Sequence, residues 1–424
     1  MSSPADAPDR TSTLDDLRRV IRRIEGRRPT RPAPEAVEQV VGGELQETTA
    51  GPILVVRHEY PLGHAHGRVA LARALDVPPP VLELIARAKE APTRARGLLF
   101  LDTETTGLAG GTGTYAFLVG AGFVEADRFV VVQYFMRDFD EEPALLAALD
   151  PLLARATGLV TFNGGAFDVP LLETRFLMAR RRWPTLVAHV DLLRPARRVW
   201  SARFDDCRLA TLEREVLGLL REDDVPGFMI PALYFDWLRY RRAAPLARVF
   251  RHNRDDVLSL AALLGWFTDA LAGGAAALAP WEIAGIGRLW ERVDIERAAA
   301  CYRDAIAAGL DGRDGHRVRL RLALWEKRQA RWDAACTLWQ AAARAAAFDP
   351  QPWEELAKFH EHRRRDFAAA RAVVLQALDL ARNTGAPPRV LAAFAYRLAR
   401  LERRLGREGR AEPGHSFLDP VAPT

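Results

Sequence analysis

Leu98-Leu99-Phe100-Leu101-Asp102-Thr103-Glu104-Thr105-Thr106-Gly107 is an apolar run that ends in two carboxylates two residues apart. In an extended strand side chains alternate between faces, so Asp102 and Glu104 point the same way. Like charges side by side are costly unless a cation or a proton lies between them. Oxygen ligands suit hard divalent ions, which makes the pair a candidate Mg²⁺ or Mn²⁺ site. The same pattern also describes a strand that runs out into a polar turn, so the choice rests on the rest of the chain.

Around this strand the chain is orderly from 97 to about 266. Tyr115 to Phe123 and Phe129 to Met136 read as strands joined by a hairpin at Glu125-Ala126-Asp127. A helix over 142–155, a strand Leu159–Phe162, a helix over 168–181 and a short strand Val187–Val190 follow, with helices to Trp266. Three antiparallel strands and then alternating helix and strand predict an α/β domain, a mixed sheet flanked by helices.

Two further acidic stretches lie in this region. Thr161-Phe162-Asn163-Gly164-Gly165-Ala166-Phe167-Asp168 leaves a strand, turns through glycines and enters a helix. Glycines at such a turn let backbone approach a ligand, and Asp168 falls in the first helical turn, where an aspartate also serves as a cap. Arg251-His252-Asn253-Arg254-Asp255-Asp256-Val257 has a helical pattern, with His252 and Asp256 one turn apart on one face.

Asp102-Thr103-Glu104, Asn163-x3-Phe167-Asp168 and the motif ending at Asp256, in that order, resemble the DEDD family of 3′–5′ exonucleases. With His252-Asn253-Arg254-Asp255-Asp256-Val257 and a helical tail, the chain is most similar to the YprB-like ribonuclease-H-like proteins. The resemblance covers about 97–266 and implies an RNase H-like fold. It implies that Asp102, Glu104, Asp168 and Asp256 bind two Mg²⁺ or Mn²⁺ ions for hydrolysis of single-stranded DNA or RNA, 3′ to 5′, by a two-metal-ion mechanism. Asp255 competes with Asp256 as the last ligand. Val257-Leu258 and the face shared with His252 favour Asp256. In the family the base-side residue is a tyrosine four before the last aspartate or a histidine five before it. Here a histidine stands at the tyrosine spacing, and His252 is left as a general base, a water-orienting group or a packing residue. Thr105, Asn163, Phe167 and Arg175 are the candidate substrate contacts, with Leu108 a second apolar rim. Asp191 is placed near the site without matching a motif, and His189 is read as structural. The rival reading is a nucleic-acid-binding adaptor without turnover.

Composition sets the frame. Of 424 residues 49% are hydrophobic, enough for two or three packed domains. No apolar run approaches the ~18 residues of a membrane span. The opening MSSPADAPDR lacks a secretory signal, and Cys207, Cys301 and Cys336 are too dispersed for a disulfide framework or a zinc site. A cytoplasmic protein without a membrane partner is expected. Residues 175–208 hold nine arginines against three acids, and 361–410 hold twelve against five, a pattern suited to phosphate or to a solvated helix face.

From about 281 the pattern is helical and repeats. Ala298-x3-Tyr302-x2-Ala305 recurs as Ala335-x3-Trp339-x2-Ala342 and Ala370-x3-Val374-x2-Ala377, at offsets of 37 and 35 residues. Small, bulky and small residues at these spacings resemble tetratricopeptide (TPR) repeats of ~34 residues. An irregular alanine-rich bundle is the alternative. The expected organisation is an N-terminal region at 1–95, with an amphipathic helix at 12–24, a linker at 28–34 and a short β segment around Ile53–Val56. An RNase H-like exonuclease domain follows at 96–270, then an all-α TPR-like domain at 281–410 that offers a protein-docking surface, then a tail at 411–424.

Overall fold

The computed structural model describes residues 36–86, 95–107, 112–184, 188–272, 278–344 and 347–408. The expectations at 12–24, at 28–34 and at Leu108 fall outside these residues. The chain divides into two compact units. One comprises the described residues of Met1–Leu192 and Arg208–Thr268, the other those of Leu193–Cys207 and Asp269–Thr424.

The first unit is built on a seven-stranded mixed sheet. Its strands are β1 (Glu44–Thr48), β2 (Gly51–Pro61), β5 (Leu98–Thr105), β6 (Ala116–Glu125), β7 (Arg128–Phe135), β8 (Gly158–Thr161) and β9 (His189–Asp191); β3 (Ala65–His66) and β4 (Val69–Ala70) form a separate small pair. The order across the sheet is β1-β2-β7-β6-β5-β8-β9. β5 is antiparallel to β6 and parallel to β8, and β8 is parallel to β9. Leu98 to Leu101 are buried because a central strand covered on both faces reads as a continuous apolar run. Asp102 to Thr105 are only partly buried, since the strand reaches the sheet's carboxyl edge there. The mixed α/β architecture expected from the strand and helix order is the one observed.

Among the helices of this unit, α1 (Val37–Val41) and α2 (Pro79–Ala86) precede β5, and α3 (Glu142–Arg155) packs against β1, β2 and β7. α4 (Asp168–Met178) follows β8. α6 (Leu209–Leu212, continued by a π-turn over Glu213–Leu217), α7 (Ile230–Tyr240) and α8 (Leu246–Leu271) come after α5, which belongs to the second unit. The core includes Phe117, Val119, Phe135, Leu149, Phe176 and Tyr234. Phe117 and Tyr234 stack with ring centroids 3.9 Å apart.

One sequence boundary shifts. The short β segment expected at 53–56 is the middle of the eleven-residue β2, which pairs with β7 from Leu54↔Phe135 to Pro61↔Arg128. Residues 44–61 are therefore two strands of the main sheet. The reason is physical: β7 is apolar over Phe129–Phe135 but for Gln133, and an uncovered edge of that kind invites aggregation. The short strand after α4 is His189–Asp191, and Val187, its expected start, lies outside the described residues.

In the second unit, α5 (Leu193–Trp200) packs on α9 (Pro280–Trp290), where a Cβ at Gly285 would lie 2.7 Å from the Val199 backbone. The helices α10 (Ile295–Ala307), α11 (Gly312–Arg328), α12 (Trp332–Ala343), α13 (Pro350–Phe359), α14 (Phe367–Asn383) and α15 (Pro388–Glu408) follow, each packed on the next. All nine residues of the repeated small-bulky-small triplets are buried, on α10, α12 and α14. No helix among the described residues is long and apolar enough to cross a membrane.

Candidate functional site

α8 lies close against β6 because β6 has no side chains in the way. A Cβ at Gly120 would collide with Asn253 Oδ1, and one at Gly122 would stand 2.6 Å from Val257 Cγ1. Asp102 pairs with Gly120 across the β5–β6 ladder. The glycine therefore lets Asn253 reach over β6, where its Nδ2 donates to Asp102 Oδ2 at 2.8 Å and to the Asp102 carbonyl at 3.2 Å. Gln133 of β7 completes the brace: its Nε2 donates to Asn253 Oδ1 and to the Phe250 carbonyl, each at 2.8 Å. Two buried amides linked in this way fix the register of helix against sheet.

With Asn253 turned to the sheet, His252 and Asp256 share another face of α8. Both line a cavity of about 490 Å³ together with Asp102, Glu104 and Asp168. Asp168 opens α4 and accepts a hydrogen bond from Thr103 Oγ1. Asn163 has φ 64° at the turn before it. That turn is pinned by Asp191, which accepts from the backbone N–H of Asn163 (2.8 Å) and of Gly165 (3.3 Å). Asp191 thus shapes the turn and does not line the cavity. His189 shares a 2.8 Å hydrogen bond with Thr161 Oγ1.

The electrostatics are those of crowded acids. Burial, Asp256, Glu104 and Asp168 together push the Asp102 carboxyl well above its usual range. Burial, with Asp256 and Asp168, raises Glu104 to about 8 against the relief from His252. Asp168 rises to about 6, again chiefly through burial, although Thr103 favours its charged form. Burial would lower His252, but its hydrogen bond to Asp224 and the charges of Asp256 and Glu104 outweigh that and hold it at about 10.

His252 Nδ1 lies 2.9 Å from Asp224 Oδ1, which leaves Nε2 facing the acids, 3.8 Å from Asp256 Oδ2 and 3.9 Å from Glu104 Oε1. A second cation stands behind them. Arg221 bonds both Asp256 and Glu213, and Glu213, 1% exposed, also accepts from Ser259, which pairs with His66. Asp224, Arg221, Glu213, Asn253 and Gln133 are supporting residues that sequence reasoning missed. Asn253 alone stood inside a quoted motif, and a lone Gln in an otherwise apolar strand was the signal for Gln133.

Of the candidate substrate contacts, Thr105, Asn163 and Phe167 line the cavity, and Phe167 is 53% exposed at its rim. Arg175 requires a correction. It is 3% exposed, its guanidinium grips the Glu142 carboxylate, donates to the Thr112 carbonyl at 2.8 Å and lies 3.9 Å over the Tyr115 ring. A guanidinium with its donors committed in the interior is a structural brace. Asp255, the rival to Asp256, faces away from the cavity and pairs with Arg254.

The four carboxylates are oxygen donors of the kind hard divalent cations take. The raised proton affinities of Asp102, Glu104 and Asp168 mark a place where positive charge is wanted. Among the described residues, however, no three donors converge closely enough to cage one ion as they stand. Arg221, Asn253 and Thr103 each hold one of the acids instead.

Comparison with known proteins adds to this geometry. A family profile described as the RNase_H superfamily matches residues 99–268, the stretch that carries all four acids and His252. The "Uncharacterized protein YprB" of Bacillus subtilis (strain 168) is 34% identical over 355 residues, covering 77% of this chain and 80% of that protein.

Proposed function

This chain belongs to the family of the Bacillus subtilis protein YprB and carries an RNase H superfamily domain, and from that premise we propose that it is a metal-dependent nuclease. The reading is a 3′–5′ exonuclease of the DEDD type acting on single-stranded DNA or RNA. The observation that carries it is the shared cavity: acids from three separated stretches, with His252, face one space open to a substrate.

Asp102, Glu104, Asp168 and Asp256 would hold Mg²⁺ or Mn²⁺. When bound, such ions supply positive charge to the attacking and leaving oxygens of an in-line phosphoryl displacement. The remaining work belongs to side chains. Asp224 fixes His252 at Nδ1, and with Asp256 and Glu104 it keeps the ring charged, so its Nε2–H faces the cavity as a donor that orients the attacking water and the phosphate. Asn253 holds Asp102 in register. Phe167 offers an apolar face to the terminal base, and Thr105 and Asn163 offer polar groups to its sugar and phosphate. The helices from α10 onward are read as TPR-like, with the protein working in the cytoplasm.

A second reading, a nucleic-acid binder without turnover, is favoured by one observation, the hold of Arg221 on Asp256. Digestion of end-labelled oligonucleotides in Mn²⁺ decides between them, with Asp102→Asn as control. Stepwise loss from the 3′ end that the control lacks supports the exonuclease. Binding without cleavage in any divalent metal supports the binder. Cleavage of circular single strands would replace the exonuclease reading with an endonuclease.

A further inference from the structure

α15 carries six arginines, Arg389, Arg397, Arg400, Arg403, Arg404 and Arg407, against Glu402 and Glu408. At 3.6 residues per turn all six, with Tyr396, project within an arc of about 120°. The opposite face is apolar and already occupied: Phe394 is 1% exposed and Leu401 is buried with it, packed with Val374, Ala377 and Leu378 of α14. Glu402 lies off the arc and pairs with Arg371 of α14 at 3.3 Å. The basic face therefore runs about 27 Å from Arg389 to Arg407 at ~1.5 Å per residue.

The charge on this face is not balanced locally. Arg397 and Arg400 converge on one oxygen of Glu361, a buried carboxylate, with His362 3.8 Å from the same atom. Two guanidiniums thus share one acid. Arg389, Arg403, Arg404 and Arg407 extend the positive field as exposed side chains, and Tyr396, 68% exposed, interrupts them with an aromatic ring. Guanidinium forks match phosphate oxygens, and an exposed ring among them gives a base a surface to stack on.

We propose that this face of α15 is a nucleic-acid backbone-binding surface, a second contact point apart from the carboxylate cavity. It rests on the functional reading above for its choice of nucleic acid among polyanions. A membrane surface is disfavoured because a basic helix binds lipid through a free apolar face, and that of α15 is spent in the core. The contact is sequence-independent, since it reads phosphates and ring faces rather than base edges.

The test uses the full chain without divalent metal and a fluorescently labelled, unstructured single-stranded oligonucleotide, as DNA and as RNA, followed by anisotropy over a salt series. Replacing the exposed Arg389, Arg403 and Arg407 by Glu weakens binding at least about tenfold and lowers the log K against log salt slope by about 2, given ~0.7 per single-strand phosphate contact. The same three changes to Lys retain most of the binding, and changes to Gln give an intermediate loss should the Glu variant melt early. Unchanged affinity and slope in both the Glu and Gln variants overturns the proposal. So does wild-type protein that sediments with phosphatidylserine vesicles but does not hold the oligonucleotide. Failure of Mn²⁺-dependent cleavage with this binding loss intact sinks the nuclease reading alone. Intact cleavage with unchanged binding sinks this inference alone.

Discussion

The carboxylate cavity and the basic face of α15 are opposite solutions to one problem. In the cavity four acids face His252, with Arg221 behind Asp256; on α15 two arginines share Glu361 while Arg389, Arg403 and Arg407 project as exposed side chains. A fold can neutralise its own charges by pairing them, as it does at Arg175–Glu142. Where it leaves an excess of one sign, the missing counter-charge has to come from elsewhere: cations at the acids, phosphates at the arginines. The contrast is therefore between a site whose excess is buried and raises proton affinities, and a site whose excess is exposed and is screened by salt.

The largest effect that could break this contrast is at Asp102. If the buried acid excess exists to bind cations, Asp102→Asn lowers cleavage by about 10⁴-fold. At a pH where the Asp102 carboxyl is ionised it also removes one repelling charge, so the metal-free variant then melts a few degrees above wild type, about 2–4 °C for each kcal/mol relieved. Single-turnover cleavage and scanning fluorimetry read the two arms. A variant that loses activity and melts lower points to an acid that holds the fold.

Next in size is Arg221→Ala. Among the described residues it strips Glu213 of its only cationic partner, and breaking a buried pair from one side costs about 3–5 kcal/mol. Urea unfolding measures it. A change below about 1 kcal/mol would place Arg221 among solvated pairs and leave Asp256 free of its hold.

How much of this was legible in the sequence depends on the distance over which a residue finds its partner. Asp102, Glu104, Asp168 and Asp256 stood in local patterns, and the structure puts them on one cavity. The strand order of β5 to β8 followed from alternation and turn residues. Arg221, Glu213, Asp224 and Ser259 had no local signal, because each acquires meaning only through a partner brought in by the fold, as Ser259 does with His66 from 193 residues away. β2 was underestimated for the same reason: its partner β7 comes after four intervening strands, two of them, β5 and β6, in the main sheet. Arg175 was misread because a count of arginines does not separate interior braces from exposed ones. Arg175→Ala tests that correction, with a stability loss of about 2–3 kcal/mol and an unchanged KM on cleavable substrate. A raised KM at unaltered stability would return Arg175 to the substrate.

The smallest expected effect concerns pH, and it sharpens the contrast because the sign is fixed by the acid excess. Glu104 is raised from its ordinary value near 4.5 to about 8, and Asp168 from 3.8 to about 6. Between those limits the folded chain keeps protons that the unfolded chain releases, so metal-free stability falls as pH climbs. His252, raised from 6.5 to about 10, acts in the same direction above pH 6.5. His66 works the other way: burial lowers it to about 4, so it costs stability as pH drops below 6.5. Over pH 6.5 to 8 the unfolded chain's His66 gives up only its remaining fraction of a proton, while Glu104 and His252 hold theirs in the folded chain, so the cavity groups outweigh it. Melting temperatures of the chelated protein should decline across that window, and saturating Mn²⁺ should flatten the decline, since bound cations remove the reason for the acids to hold protons. A metal-free melting temperature that rises from pH 6.5 to 8 would mean that these carboxylates are already neutralised by Arg221 and His252, with no excess left for a cation to answer.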